Sequence, residues 1–435
     1  MGRSHPASTG NGLRLSHLER FGIARRLLRV ADQVDEEIQP ALMGICQIQA
    51  ANHARVLAAF QEVRVSPWHF AETSGYGLGD GGRQALEEVF ARVFAAEAAL
   101  VRTYIVSGTH AIGICLFGIL GPGDRLVCLT GRPYDTLHGA IGLRPGIPGS
   151  LRDLGVEYRE GCCLTPDGVD GERVAALLEG SGPGRALALI QRARGYDSGP
   201  GATLAQIAEL TRLVARACPE AVVLVDNCYA EFTDRAEPTE VGAHLAAGSL
   251  IKNPGGGLAP CGGYVAGRRD LVELAAGRLT LPGLGGELGA TPPWGRLLFQ
   301  GLYLAPTMVG TALAGAVFAA RFFDRLGFST RPAWDEPRSD IVQSIELGTR
   351  ERVLAFLRGV QRASPVDAFA IPEPGPLPGY GDAVAMAAGT FVQGATLELS
   401  ADAPLREPYR VYLQGGLVRE QATLACLLAA TEMGL

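Results

Sequence analysis

Short apolar runs alternate with helical patterns along the middle of this chain, and this alternation restricts the fold more than any other sequence feature. The runs are RLVCLT, ALALIQ, AVVLVD, GSLI and GGYVAG, at residues 125–130, 186–191, 221–226, 248–251 and 262–267. Helical patterns lie between them. Strands that are apolar on both faces and separated by helices are typical of a mainly parallel sheet with helices on both faces. We therefore expect an α/β fold with polar groups gathered at the carboxyl ends of the strands.

The regions on either side of this core have different patterns. Turn formers are dense around residues 280–300, and the part that follows mixes helical patterns at 309–325 and 341–361 with strand-like segments at 389–400 and 409–417. Three units are therefore predicted: an N-terminal helical arm, a large domain that contains the parallel sheet and a smaller C-terminal α+β domain, over residues 1–60, 61–295 and 296–435.

Composition narrows the class of protein. The net charge is −6, which gives no basic footprint for nucleic acid, so we expect no nucleic-acid partner. No apolar run approaches the roughly 20 residues that a membrane-spanning helix needs, and the first residues lack the apolar stretch of a secretory signal. The nine cysteines form no CxxC pair and the seven histidines form no metal-ligand spacing. We expect a cytoplasmic protein with reduced thiols and no bound metal.

Lys252 is the only lysine among the 39 lysine and arginine residues. Arginine replaces lysine well as a solvated charge, but it cannot lose its proton and attack a carbonyl as a primary amine does. Chemistry that forms a Schiff base needs such an amine. Chance survival of one lysine in an arginine-rich sequence is the alternative, so the surroundings of Lys252 have to decide.

Asp226 supplies the first of those surroundings. It ends the run AVVLVD, and Lys252 follows the next run 26 residues later. In a parallel sheet both side chains would emerge at the same edge. A reactive amine beside a carboxylate suits pyridoxal 5'-phosphate, since the amine can bind the aldehyde and the carboxylate can keep the pyridine nitrogen protonated. A helix cap or salt bridge is the ordinary alternative for Asp226 alone.

Several small and aromatic residues could complete a cofactor site. Ser107, Gly108 and Thr109 precede a helical pattern, and a helix N-terminus offers amide groups and a positive dipole end to a phosphate. Ser249, three residues before Lys252, could add a hydroxyl to the same phosphate. Tyr134 could place its ring over a flat cofactor. Helix capping by Ser107 and core packing of Tyr134 are the competing interpretations.

A glycine-rich stretch, GYGLGDGGR, lies near the start of the large domain. Its Tyr76 lies on an irregular segment and could reach the phosphate site of a neighbouring subunit. Arg83 could do the same, or it could form a surface pair with Glu87.

Taken together, these motifs resemble pyridoxal-phosphate enzymes of fold type I in the cysteine and methionine metabolism group, and within it the methionine γ-lyase family that includes aluminium resistance proteins. The resemblance begins near residue 40 and extends to the end of the chain. The segments that match, in order, are SGTHAI, TGRPYDTL, IQRARGY, VDNCYAEF, GSLIKNPGGG and QGGL.

The resemblance implies a role for each candidate residue. Lys252 would bind the cofactor covalently, Asp226 would contact its pyridine nitrogen, and Tyr134 would stack on the ring and help to protonate a leaving group. Tyr76 would come from a neighbouring subunit, so a homodimer or homotetramer with shared active sites is implied. An arginine of the small domain would bind the substrate carboxylate, with Arg406 as first choice and Arg410 as second. Ser107, Gly108, Thr109 and Ser249 would hold the phosphate. Leu78 stands where related enzymes carry an arginine, so Arg83 is expected to take over that contact.

The implied activity is elimination or replacement at Cγ of an amino acid, with cleavage of a carbon–sulfur or carbon–halogen bond. Lys252 would move protons, which requires that the desolvated, cofactor-lined site depress its pKa. A pyridoxal-phosphate-dependent β-lyase or aminotransferase is the nearest alternative, because fold and cofactor site are shared. A non-enzymatic metal-tolerance or metal-binding protein is the alternative from another class.

Overall fold

The computed structural model describes residues 16–166, 168–180, 184–193, 195, 201–376 and 381–435. Its helices are α1 Arg25–Glu37, α2 Gln39–Glu62, α3 Gly81–Val93, α4 Gly108–Ile119, α5 His138–Ile141, α6 Gly171–Leu178, α7 Leu204–Ala217, α8 Arg269–Leu279, α9 Gly295–Arg325, α10 Arg350–Arg362 and α11 Arg419–Glu432. Its strands are β1 Ala98–Arg102, β2 Arg125–Cys128, β3 Glu157–Glu160, β4 Leu164–Thr165, β5 Gly168–Val169, β6 Ala186–Gln191, β7 Val222–Asp226, β8 Leu245–Ser249, β9 Gly263–Gly267, β10 Ser329–Arg331, β11 Val342–Glu346, β12 Val384–Ala387, β13 Ser400–Pro404 and β14 Arg410–Gln414.

The large sheet has the order β1-β9-β8-β7-β6-β2-β3 in the part of the chain that the structure describes. The pairs from β8 through β3 are parallel, and β9 runs antiparallel to both of its neighbours. The predicted α/β fold with a mainly parallel sheet is confirmed. The strand near GSLI begins three residues earlier than the apolar run suggested, so Lys252 lies three residues beyond the end of β8.

Both faces of this sheet are covered by helices, as the continuous apolar runs predict. Along β6, Leu187 and Leu189 pack with α4 and α8, whereas Ala188 and Ile190 pack with α6 and α7. The side chains of a strand alternate between faces, so both sets can be buried at once. Each fully buried aliphatic side chain stabilises the fold by about 1.5–3 kcal/mol before entropy is counted.

The smaller sheet has the order β10-β11-β14-β13-β12 and is antiparallel in the described residues. Helices α9, α10 and α11 pack on one face of it, and the apolar side of α1 joins the same core. The predicted helix over 341–361 is wrong in its first part, because Val342–Glu346 forms β11. Gly348, with φ +78°, then reverses the chain and Thr349 caps α10. Of the strand-like segment 389–400, only Ser400 is in a strand.

Helix α9 joins the two sheets and is the longest helix of the described residues. Its 31 residues are apolar enough to cross a membrane, but 72% of its most apolar stretch is buried inside the protein. It contacts α2 and the loop after Lys252 on one side, and α11 and β11 on the other. This helix therefore connects the large and small sheets through the shared interior. The predicted domain boundaries stay predictions. The first 15 residues of the predicted N-terminal helical arm lie outside the described residues.

Candidate active site

A cavity opens at the carboxyl ends of the parallel strands. Its walls come from four strand ends and from the start of α4. The structure brings four of the predicted site residues into this one cavity. The lining residues are Thr109, Tyr134, Gln191, Ala193, Gly195, Asp226, Cys228, Tyr229 and Lys252.

Lys252 reaches the cavity from the turn after β8. Its Nζ lies 3.8 Å from the centre of the Tyr229 ring, which is a cation–π contact. Burial alone would lower the pKa of the Lys252 ammonium, but Cys228, Tyr229 and Asp226 raise that pKa by more, and the net shift is upward. The predicted depression of this pKa is therefore not found in the protein alone, because acidic groups surround the amine.

Asp226 ends β7 and is almost fully buried. Its Oδ1 accepts a hydrogen bond from the backbone N–H of Cys228 at 3.1 Å. Burial raises the pKa of the Asp226 carboxyl, although Lys252 and the Cys228 amide act in the opposite direction. A buried carboxyl of this kind would gain from a second cation or N–H donor in the cavity, such as a protonated pyridine nitrogen.

The N-terminus of α4 forms the second part of the site. Ser107 caps the helix, since its Oγ accepts the N–H of His110 at 3.1 Å. The amides of Gly108 and Thr109 are the first of the helix and have no acceptor within it. A Cβ on Gly108 would lie 2.6 Å from Cys228 Sγ and 3.5 Å from Ser249 Cβ. The helix start, Cys228 and the buried Ser249 therefore meet, and only glycine fits between them.

Tyr134 is held at the rim of the cavity by its backbone. Its N–H donates to Gln191 Oε1 at 2.8 Å, and Gln191 Nε2 donates to the carbonyl of Ala193 at 3.1 Å. A Cβ on Gly195 would lie 3.0 Å from Tyr134 Cδ2, so the ring packs against that glycine. The cavity thus has an aromatic wall, a helix N-terminus, a buried carboxyl and one amine. These residues fit a flat, phosphorylated cofactor with a ring nitrogen and an aldehyde.

Several residues of this site were not singled out from the sequence. Tyr229 lines the cavity with φ +71°, a conformation that is uncommon for a residue with a side chain. Behind it lies a buried polar layer of Arg192, Asn227, Glu231, Glu237 and Tyr264. Of these residues, Tyr229, Asn227 and Glu231 belong to VDNCYAEF, so for them the motif itself was the available signal. Two residues of IQRARGY, Arg194 and Tyr196, lie outside the described residues.

Tyr76 and Arg83 lie away from this cavity. The Tyr76 side chain is 74% exposed on the glycine-rich segment. Arg83 is buried, and its guanidinium donates to the carbonyls of Gly289 and Glu287 at 2.5 and 2.9 Å. The alternative pair with Glu87 is not formed, since that carboxylate contacts Arg102 instead. Arg83 thus binds the loop that contains Glu287 and Gly289 in its own subunit. Its contact with the phosphate site of a neighbouring subunit stays a prediction.

Arg406 and Arg410 lie at the end of the small sheet that is remote from the cavity. Arg410 begins β14 and pairs with Glu346 at 3.0 Å, and Arg406 pairs with Asp382 at 2.9 Å. The other end of β14 faces the cavity, because Val342 pairs with Gln414 and the preceding residue, Ile341, donates to the Tyr229 carbonyl. Four residues of strand separate the two ends by about 13 Å. Binding of a substrate carboxylate by either arginine stays a prediction.

Comparisons with known proteins agree with this geometry. The methionine gamma-lyase family model matches residues 27–434. A carbon–sulfur lyase involved in aluminium resistance from Clostridium novyi NT has a TM-score of 0.91 and 42% identity, over 96% of this chain and 98% of that one. A Clostridium acetobutylicum protein, proposed to be a cystathionine beta-lyase involved in aluminium resistance, has a TM-score of 0.92 and 43% identity over the same shares. The fold is shared by the pyridoxal-5'-phosphate-dependent protein YhfS from Escherichia coli. It is 20% identical to this chain, with a TM-score of 0.59 over 88% of this chain and 95% of its own. The predicted fold type I architecture is confirmed.

Proposed function

This chain belongs to the methionine gamma-lyase family, and from that premise we propose that it is a pyridoxal-phosphate-dependent carbon–sulfur lyase that acts on an amino acid with a leaving group on Cγ. The reaction is an elimination or a replacement at Cγ. The observation that supports this most strongly is the meeting of the single lysine with Asp226 and Tyr134 in one cavity. The N-terminus of α4 lies beside this cavity, and its first backbone amides are available to an anion.

Each part of the cofactor has a counterpart in the cavity. Pyridoxal phosphate, when bound, withdraws electrons from the bonds at Cα of an attached amino acid. The amides of Gly108 and Thr109, with the hydroxyls of Ser107 and Ser249, would hold the phosphate. Asp226 would hold a proton on the pyridine nitrogen, and Tyr134 would cover one face of the ring.

Protons would be handled by Lys252 and Tyr134. Removal of a proton from Cα requires Lys252 as a neutral amine, whereas the protein alone favours the ammonium. Neutralising the charge of Asp226 would remove part of the attraction that raises the pKa of Lys252. Asp226 would thus link binding of the cofactor to formation of the neutral Lys252 amine. The Tyr134 hydroxyl, at the opposite rim, would give a proton to the leaving group.

A β-lyase is the second candidate, because one of the most similar solved structures is proposed to be a cystathionine beta-lyase. An aminotransferase remains the third. Supplying amino acids with matched thiolate leaving groups on Cβ or on Cγ, and identifying the 2-oxo acid formed, separates these reactions. Turnover of only the Cβ substrates, or amino transfer without loss of the leaving group, would refute the γ-lyase proposal.

The lysine itself is tested by Lys252→Arg, which keeps the charge. We expect loss of turnover by at least about 10³-fold, since a guanidinium cannot form the covalent link. Borohydride reduction of the loaded wild type should fix the cofactor on Lys252, as read by peptide mass. A matched control, Arg212→Lys, adds a lysine on the exposed face of α7, and this residue should stay unlabelled. Cofactor fixed elsewhere, or activity of the arginine variant, would contradict the proposal.

We propose that the active sites are shared between two copies of the chain, with Tyr76 reaching the partner's phosphate. The exposure of this aromatic side chain favours that arrangement. Mixing inactive Lys252→Arg and Tyr76→Phe subunits should restore about a quarter to a half of the activity if sites are shared. Absence of complementation in a mixed dimer would refute it. Dimer or tetramer formation and the cytoplasmic location stay predictions.

The metal-tolerance alternative has its own test. Among the described residues, no group of three or more His, Cys, Asp or Glu is placed to hold a metal ion. Equilibrium dialysis with aluminium and divalent ions measures direct binding. Tight stoichiometric uptake would support the alternative.

A further inference from the structure

Glu231 is a fully buried carboxyl directly behind the cavity, in the loop that follows Asp226. Its Oε1 accepts a hydrogen bond from the Tyr264 hydroxyl at 2.9 Å, while its Oε2 has no partner in the described part of the chain. The Asn253 side chain, next to Lys252, donates to the Glu231 carbonyl at 2.9 Å. The loop bearing Glu231 is therefore tied to the residue that adjoins the amine.

The groups around this carboxyl are closely packed. A Cβ on Gly248, four residues before Lys252, would lie 2.6 Å from Glu231 Oε1 and 2.8 Å from Tyr264 Cε1. The Tyr264 ring is in turn packed against Phe90 and Phe94 of α3. The strand that leads to Lys252 therefore lies directly against the Glu231 carboxyl.

The charged and titratable groups around Glu231 come from three elements. Lys252 lies after β8, Tyr264 lies on β9, and Cys228 and Glu237 lie in the segment after β7. Burial raises the pKa of Glu231 most and repulsion from Glu237 adds to that shift, whereas its own backbone N–H, Tyr264 and Lys252 lower the pKa, which comes to about 8. Glu237 pairs with Arg192 and Arg55, and Lys252 is a cation whose charge acts on Glu231.

We propose that Glu231 is a positioning residue that sets the charge of Lys252 from behind the cavity: its protonated form favours the neutral amine, and its ionised form favours the ammonium. The inference deepens the proposed function, because a neutral Lys252 is the form that can take a proton from Cα. In this arrangement Glu231 never touches substrate. It acts only through the electrostatic free energy of the amine.

The test uses the fact that Lys252 is the only lysine. The full-length protein is treated with hydroxylamine to remove any aldehyde from Lys252 and is then dialysed. It is acylated with trace acetic anhydride between pH 6 and 10, and labelling of the Lys252 peptide is quantified by mass spectrometry. Only the neutral amine reacts. For Glu231→Gln, which keeps the size and the Tyr264 contact, the rate should match wild type near pH 6 and exceed it about tenfold above pH 9. The control Glu240→Gln, on a partly exposed carboxylate, should follow wild type throughout.

A ratio near one at every pH, or a ratio that does not change with pH, would overturn the inference, because a purely structural effect would not follow ionisation. The wild type gives a second measurement that needs no variant. Its labelling rate should rise tenfold per pH unit below pH 7 and less steeply as Glu231 ionises near pH 8. A constant slope through that region would refute the coupling. Neither measurement uses cofactor or amino acid, so failure here leaves the lyase proposal standing.

Discussion

The contact between Gly108 and Cys228 makes a prediction about how the phosphate site is built. In Gly108→Ala the added Cβ would lie 2.6 Å from Cys228 Sγ, about 1 Å closer than van der Waals contact allows. Overpacking of this kind costs about 1–3 kcal/mol, and the lower chain entropy of unfolded alanine returns about 0.4–1 kcal/mol. We expect the free energy of unfolding to fall by about 1–2 kcal/mol.

Cys228→Ala removes the obstructing sulfur. This change alone should cost about 1 kcal/mol, since a buried atom is lost. If the clash is the cause, the double variant Gly108→Ala/Cys228→Ala should be more stable than the sum of the single effects by at least 1 kcal/mol. Urea denaturation of the four proteins measures this coupling. Cofactor affinity, followed by absorbance, should fall in Gly108→Ala and recover in the double variant.

Two outcomes would refute the reasoning. Additivity within about 0.5 kcal/mol would show that Cys228 does not obstruct the alanine. Lower stability with unchanged cofactor affinity in Gly108→Ala would show that Gly108 is needed at the helix start for packing alone. The phosphate would then lie elsewhere.

Three further predictions concern the buried polar groups. Arg192→Met should lower the free energy of unfolding by about 3–5 kcal/mol in urea denaturation, because the buried Glu237 carboxylate loses its guanidinium partner. The control Arg212→Met, in an exposed ion pair, should change the free energy of unfolding by less than about 0.5 kcal/mol. The Glu231 carboxyl releases its proton near pH 4.5 when unfolded and near pH 8 when folded, so the folded state binds more protons between these values and wild-type stability should fall by about 1.4 kcal/mol per pH unit there. Glu231→Gln should remove this contribution and make the slope less steep by about 1.4 kcal/mol per pH unit, and an unchanged slope in thermal melts would contradict the assignment. The exposed thiol of Cys162 should react quickly with a disulfide reagent. Burial raises the pKa of the Cys426 thiol, so Cys426 should react only when the protein unfolds. Early labelling of Cys426, read by peptide mass, would disprove this.

The apolar pattern predicted the large sheet well because both faces of its strands are buried. Such strands read as continuous apolar runs, and four of the five runs coincide with strands to within a residue or two. The small domain was harder. Residues 341–361 contain a strand and a helix joined by Gly348, and the two periodicities blend when the connecting turn is short. Propensity within one window cannot separate them.

The candidate site residues also differ in how far the sequence alone could place them. The meeting of Asp226 and Lys252 in one cavity was predictable because parallel strands end at one edge, a rule that needs only the order of elements. Arg406 and Arg410 were chosen by residue type, and the structure places both at the far end of β14. No local pattern tells which end of an antiparallel strand faces a cavity, since that depends on how the two sheets are joined by α9.

The sequence by itself determined the fold class, the edge of the sheet where chemistry would gather and the single amine available for it. The reason is that burial of apolar strands and the reactivity of a primary amine are properties of residues and their order. Only the tertiary structure decided that acidic groups surround Lys252 and that the buried Glu231 has no partner for its Oε2 in the described part of the chain. Those facts arise from packing between elements distant in sequence, and the electrostatic free energy of a buried charge depends on all of its neighbours at once.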